Sequence, residues 1–182
     1  MSLKSKSNSK RIIYYIVIFP ILADIMFVSD IMLDIALNVH LLAMFITVFT
    51  VIYRAKALIP IYLYVILHGV YYGFSGWWFS YLYVWAVLWG AVMLLPRSMK
   101  PHVAAAVYAA VSGIHGLLFG TMLAPVNAVM LGLSLKQTAA WIISGLSADL
   151  IHCVSNVIIT FLLAVPLITA MKSANKAIFN KI

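Results

Sequence analysis

Asp149, His152 and Asn156 stand three and four residues apart inside an apolar stretch, so a helix stacks them on one face. Ser155 sits beside that face. A carboxylate, an imidazole and a carboxamide at neighbouring depths can orient a ligand by hydrogen bonds, or can bond adjacent helices as packing glue. His68, Tyr71 and Tyr72 repeat the same i, i+3, i+4 spacing. His115 precedes Phe119 by four residues, and Gly113, Gly116 and Gly120 thin that segment for close approach by another helix. A third group is aromatic: Trp77, Trp78 and Phe79 lead into Tyr81, Tyr83, Trp85 and Trp89. Interfacial Trp and Tyr are ordinary belt residues. Trp85 and Trp89 lie two and three turns further along, where flat side chains suit either a pocket that stacks a planar ring or plain bundle filling.

These groups sit in a chain that is 65% hydrophobic and only 9% charged over 182 residues. Soluble domains carry roughly 25% charged residues, so the composition reads as an all-α integral membrane protein. A crossing helix needs about 20 mostly apolar residues. Six stretches qualify: Ile12 to Ser29, Ile35 to Tyr53, Leu58 to Phe74, Phe79 to Leu95, His102 to Leu123 and Leu146 to Met171. Gly73-Phe74-Ser75-Gly76 breaks the third from the fourth, Pro96 closes the fourth, and Pro125 is expected to stop the fifth. Pro125 to Ser147 reads as a loop holding a short surface helix, Lys136 to Ile143. Residues 1–11 read as a disordered basic tail, 12–171 as a six-helix transmembrane substrate-binding domain, and 172–182 as a second basic tail.

Charge orients the spans. Lys4, Lys6, Lys10, Arg11, Arg54, Lys56, Arg97, Lys100, Lys172, Lys176 and Lys181 fall on one face, and Lys136 alone on the other. Positive loops stay in the cytoplasm, so both termini are expected there. The formal charge of +8 then reports topology, and nucleic acid is not expected as a partner. The N-terminal segment does not read as a cleavable signal, since no A-x-A-like site follows. Asp24, Asp30, Asp34 and Asp149 make up all the acidic residues, with no Glu. They gather toward the outer side with His40, His68, His115 and His152, whereas His102 lies inside. Buried ionisable groups cost at least about 2.5 kcal/mol each on insertion scales, which makes such a cluster a candidate site.

Catalysis is not expected. No two His residues stand four apart as zinc ligands commonly do, and no Ser lies in a nucleophile-elbow sequence. No cofactor or metal is expected. The sole cysteine, Cys153, excludes an intramolecular disulfide. With Lys136 as the one outer cation, an anionic phosphate would lack its usual partners. A neutral or cationic ligand, or a modest anion held through His and backbone N–H groups, fits better.

Six spans in about 180 residues, basic termini and an outer polar-aromatic pocket resemble the substrate-binding S component of an energy-coupling factor (ECF) vitamin transporter. Ile143 to Asn156 followed by Pro166-Leu167 is similar to the family's last helix, with its Gly-hydrophobic-x-x-Asp entry, His and Asn. The Gly-rich His115 to Gly120 run followed by Ala124-Pro125 resembles its fifth span and outer loop. The resemblance implies an outward-facing pocket for a vitamin-like molecule in the plasma membrane of a prokaryote. It also implies a transmembrane coupling subunit and two cytoplasmic ATPases as partners. By the same resemblance Trp77, Trp78, Tyr81 and Trp85 come from the third loop and span four. His115, Phe119 and Asn127 then line span five and its loop, and Asp149, His152 and Asn156 span six. Where the family carries a small-x-x-x-small motif on span one, Phe19 and Phe27 here flank Ala23. Two other readings remain: an intramembrane enzyme with His115, His152 and Asp149 as acid-base groups, and a stand-alone proton-coupled carrier using Asp24 and Asp149.

Overall fold

Apolar sequence with few breakers folds here into helix almost throughout. The computed structural model describes residues 3–33 and 39–180, with the side chains of 11–33 and 39–179. Asp34 and Lys181 lie outside the described residues, as do the side chains of Lys4, Lys6 and Lys10. Among the described residues there are seven α-helices, one 3-10 turn and no strand. They are α1 (Leu3–Leu33), α2 (Leu42–Tyr53), the turn Arg54–Ala57, α3 (Leu58–Tyr72), α4 (Gly76–Met93), α5 (Pro101–Leu117), α6 (Phe119–Leu131) and α7 (Leu135–Asn180).

Four helical runs are long and apolar enough to cross a membrane: Arg11–Leu33, Leu42–Tyr72, Pro101–Leu131 and Leu135–Phe179. The second takes in both α2 and α3, and the third both α5 and α6. The outward faces carry Ile16, Val17, Val70, Leu150, Phe161 and Leu162, all exposed. A surface so apolar suits lipid better than water. α2 is apolar all round and nearly every side chain is buried, which makes it the central helix. Around it Phe19, Ala23 and Met26 of α1, Tyr64 of α3, Leu88 of α4 and Ala164 of α7 close the core.

Contacts between side chains sort the helix ends into two groups. At a basic end, Tyr14 Oη donates to Asn175 Oδ1 at 2.5 Å and lies 3.1 Å from Tyr53 Oη. Lys56 Nζ stands 4.0 Å above the Tyr15 ring, and Arg11 above Phe179. The start of α1 is therefore beside the end of α7. The turn after α2 lies there too, because Trp89 Nε1 of α4 donates to Arg54 O (3.1 Å) and Arg54 Nη2 donates to Met93 O (2.8 Å). Arg54 reverses the chain with φ +55°, a conformation uncommon in a residue with a Cβ. At the opposite end, the last turns of α1 and α3 meet through Asp30 and His68, and His68 packs on Trp77 in the first turn of α4.

Three expectations need correction. The stretch 125–147 is not a loop: α6 carries Pro125 in its interior and α7 runs unbroken from Leu135 through Ser147. The break falls earlier, at Leu118 (φ −94°, ψ 2°), and a tight turn at Gly132, φ +62°, separates α6 from α7. Proline is tolerated inside a packed helix when neighbours satisfy the carbonyl it frees. Gly145 weakens α7 by about 1 kcal/mol relative to Ala without breaking it. At 46 residues α7 is about 69 Å long, more than twice a roughly 30 Å hydrocarbon core. Both tails also differ: α1 is helical from Leu3, inside the stretch read as disordered, and α7 continues through Asn180. The second helix begins at Leu42, with residues 39–41 of the expected span outside it and Ile35 to Asn38 outside the described residues.

Candidate functional site

Asp30, one turn from the end of α1, has three side-chain partners, more than any other polar side chain among the described residues. His40 Nδ1 lies 2.9 Å from its Oδ1, and His68 Nε2 3.1 Å from its Oδ2. Tyr64 Oη donates to Oδ2 at 2.9 Å. A carboxylate only accepts, so both imidazoles carry a proton on the nitrogen facing Asp30. One side chain thus ties the last turn of α1 to the short segment before α2 and to the outer half of α3. This answers the cost of burying a carboxylate that is only 7% exposed.

From His68 and His40 a closed ring of contacts runs around this end of the bundle. His68 packs on Tyr81 (centroids 5.2 Å), Tyr81 on Trp85 (5.3 Å), and Trp85 on Phe119 (5.6 Å). Phe119 packs on His152 (4.9 Å) and His152 on His40 (5.2 Å), which returns through Asp30 to His68. Trp77 stands edge-on to His68 at 5.0 Å. Inside the ring is a small cavity of about 10 Å³ lined by His40, Leu42, Ala43, Trp85, His115, Phe119, His152 and Asn156. That is room for about one water. Trp85, His115, His152 and Asn156 are each 5–8% exposed.

The polar groups at the cavity are held by backbone. His115 Nε2 sits 3.0 Å from Val84 O, and since a carbonyl only accepts, that nitrogen carries the proton and Nδ1 is left as an acceptor in the neutral ring. Asn156 Nδ2 donates to Ser112 O at 3.3 Å. Trp85 Nε1 is buried with no hydrogen-bond partner among the described residues. α5 can bring His115 this close to α7 because Gly116 lacks a Cβ. One built there would fall 2.9 Å from His152 O and 2.8 Å from Asn156 Nδ2.

Of the residues expected from the sequence, Trp85, His115, Phe119, His152 and Asn156 converge on this cavity. Trp77 and Tyr81 join the ring through His68. The other three, Trp78, Asn127 and Asp149, belong to neither the cavity lining nor the ring. Trp78 Nε1 donates to Val65 O at 2.9 Å and packs edge-on against Phe74, tying α4 to α3 over Gly69. Asn127 Nδ2 turns back to Leu123 O of its own helix at 3.2 Å. Asp149 Oδ1 accepts the Gly120 N–H at 2.9 Å, satisfying a free donor in the first turn of α6. A carboxylate is favoured there by the helix dipole as well. With Asp149 so placed, the His115, His152, Asp149 acid-base set does not gather at the cavity.

The Asp149 tie has a measurable consequence. Asp149→Ala is expected to lower stability in detergent by about 1 kcal/mol, the usual cost of a lost cap. Asp149→Asn, whose carboxamide oxygen can still accept from Gly120, should keep most of it. Equal losses in a thermal unfolding series would show that charge, not the Gly120 bond, is what matters.

Asp30, His40 and His68 belong to the outer cluster that the sequence presents as a candidate site, whereas Tyr64 is not legible there. The signal is the gathering of four His and four Asp toward one face. Which of them meet depends on three helix ends far apart in the chain. Among the described residues no group of three or more His, Cys, Asp or Glu is arranged to hold a metal ion. No family model matches the chain, and no curated protein or solved structure is significantly similar to it.

Proposed function

We propose that this chain is the substrate-capturing membrane subunit of an importer for a small, ring-bearing micronutrient. In this reading it crosses the membrane six times with both termini in the cytoplasm and presents the Trp85–His152 cavity to the outside. It has no catalytic activity of its own and works with a transmembrane coupling subunit and two ATPases, as the resemblance to ECF S components implies. Supporting the orientation, Arg11, Arg54, Lys56 and the end of α7 lie together at the end of the bundle away from the cavity. The observation that carries the reading is Trp85. Its indole lines the cavity with three His, an Asn and a Phe, and its N–H has no protein partner among the described residues. Buried donors are rarely left unpaired, and one that is calls for a ligand, a water or a conformational change.

A cavity of about 10 Å³ does not hold a ring, so capture requires the walls to part. Apolar and aromatic faces would then supply most of the affinity. The imidazoles, the carboxamide and the indole N–H would select, because a molecule lacking matching groups leaves them unpaired. The test is mass spectrometry of the small molecule released by denaturing the purified protein. A stoichiometric, unmodified compound is expected, and Trp85→Phe and Asn156→Ala should each weaken its binding by over about 1 kcal/mol. Recovery of a chemically converted product, or undiminished affinity in both variants, would defeat the proposal.

A second reading, a proton-coupled carrier, draws on the buried Asp30 with its two His partners. Its distinguishing result is uptake into liposomes containing this protein alone. Of the carboxylates first considered for it, Asp24 is exposed on α1 and Asp149 is engaged with Gly120.

A further inference from the structure

We propose that the basic end of the bundle carries a phosphate-binding cavity formed by Arg54, Arg97 and Tyr108, separate from the site above. The cavity has a volume of about 190 Å³ and is completed by Val51, Val92 and Pro96. None of the three described Asp residues lines it. Two guanidinium groups therefore share one partly apolar cavity without a counter-charge, where their repulsion is screened less than in open water. An anion between them removes that cost, and the planar fork of a guanidinium matches phosphate oxygens two at a time.

The detailed geometry favours a ligand over mutual solvation. Arg54 is held in place, since its Nη2 donates to Met93 O at 2.8 Å and its carbonyl accepts from Trp89 Nε1 at 3.1 Å. Its Nε is nonetheless buried with no partner among the described residues. A guanidinium has five N–H donors, so the Met93 bond leaves most of them uncommitted. The residue also holds φ +55°, and non-glycine residues in such conformations cluster where a structure clamps a ligand. Arg97, in contrast, is exposed on the segment after α4, at the cavity's edge. It makes no hydrogen bond among the described residues, which leaves it able to close on an anion held by Arg54. Tyr108 is buried and adds a hydroxyl from α5.

The volume is more than ten times the roughly 10–15 Å³ that one water needs. It admits a phosphate with part of an ester substituent. The chemistry is that of a phosphate mono- or diester, and the source is either a lipid headgroup or a free phosphate compound. Basic pockets between helices are known places for anionic headgroups. This inference does not depend on what the opposite end of the bundle captures.

The experiment uses the full chain in detergent with added phosphatidylglycerol or phosphatidylcholine, and native mass spectrometry to count retained lipid. Phosphatidylglycerol should be retained preferentially. Arg97→Gln, which removes no internal bond, should cut that retention by about fivefold, and Arg54→Gln and Tyr108→Phe should also reduce it. Lys172→Gln, at an exposed position on α7, controls for general surface charge and should change little. Displacement of the lipid by millimolar inorganic phosphate supports the site with a free phosphate as its source; retention in excess phosphate supports the headgroup. Equal retention of the two lipids, or an Arg97→Gln loss no larger than that of Lys172→Gln, overturns the proposal.

Discussion

Asp30→Ala should destabilise the folded bundle by about 3 kcal/mol or more, the range seen when one partner of a buried charged network is removed. The reason is the number of groups it strands. His40 Nδ1, His68 Nε2 and Tyr64 Oη all direct protons at this one carboxylate, and His68 Nδ1 is already buried without a partner among the described residues. Deleting the acceptor takes away the partner of three donors, two of which, on His68 and Tyr64, lie deep in the bundle. Tyr64→Phe removes one donor and leaves Asp30 with two, so its cost should be nearer 1 kcal/mol. Thermal unfolding in detergent with a size-exclusion readout separates the two variants. Should Asp30→Ala prove no worse than Tyr64→Phe, the carboxylate is not the tie between α1, α2 and α3 described above. The same variant frees His40 and His68 from the ring, so any captured ligand should be lost with the stability.

Gly116→Ala should cost about 1–3 kcal/mol, an unusual sign for a glycine replaced within a helix. Alanine ordinarily stabilises such positions by about 1 kcal/mol. Here the added Cβ would lie 2.9 Å from the carbonyl carbon and oxygen of His152, and backbone in the middle of α7 cannot step aside as a flexible side chain does. Relief comes from moving α5 away from α7, which pulls His115 from His152 and Asn156. Gly145→Ala supplies the contrast in the same protein. Nothing lies within 4 Å of its built Cβ, so that substitution should stabilise α7. A stability series in which both variants shift in the same direction would contradict the close α5–α7 approach.

Hydropathy located α3 and α4 well, because Gly73 and Pro96 punctuate them and little else in those stretches competes. It misjudged the region from Pro125 to Ser147. A proline and scattered polar residues suggest a loop when read locally, yet Asp149 satisfies the free N–H of Gly120, and α6 packs on α4 and α7. The aromatic run shows the same division. Trp77, Trp78, Trp85 and Trp89 share one helix, and nothing in their spacing separates their roles. Trp78 bonds Val65 O, Trp89 bonds Arg54 O at the basic end, and Trp85, which lines the cavity, alone of the three leaves its N–H without a partner among the described residues.

Composition and periodicity alone determined that the chain is helical and apolar, that its cations and its His and Asp residues occupy different regions, and that Asp149, His152 and Asn156 share a helix face. Those properties are local: they follow from 3.6 residues per turn and from the cost of placing charge among apolar groups. Only the tertiary structure decided which of these groups meet. Asp30, His40, Tyr64 and His68 come together because three helix ends coincide, and His115 reaches Asn156 because a glycine lets two backbones touch. The same packing took Asp149 out of the cavity and gave it to Gly120. Convergence of that kind depends on distances between segments far apart in the chain, which side-chain spacing along one helix does not encode.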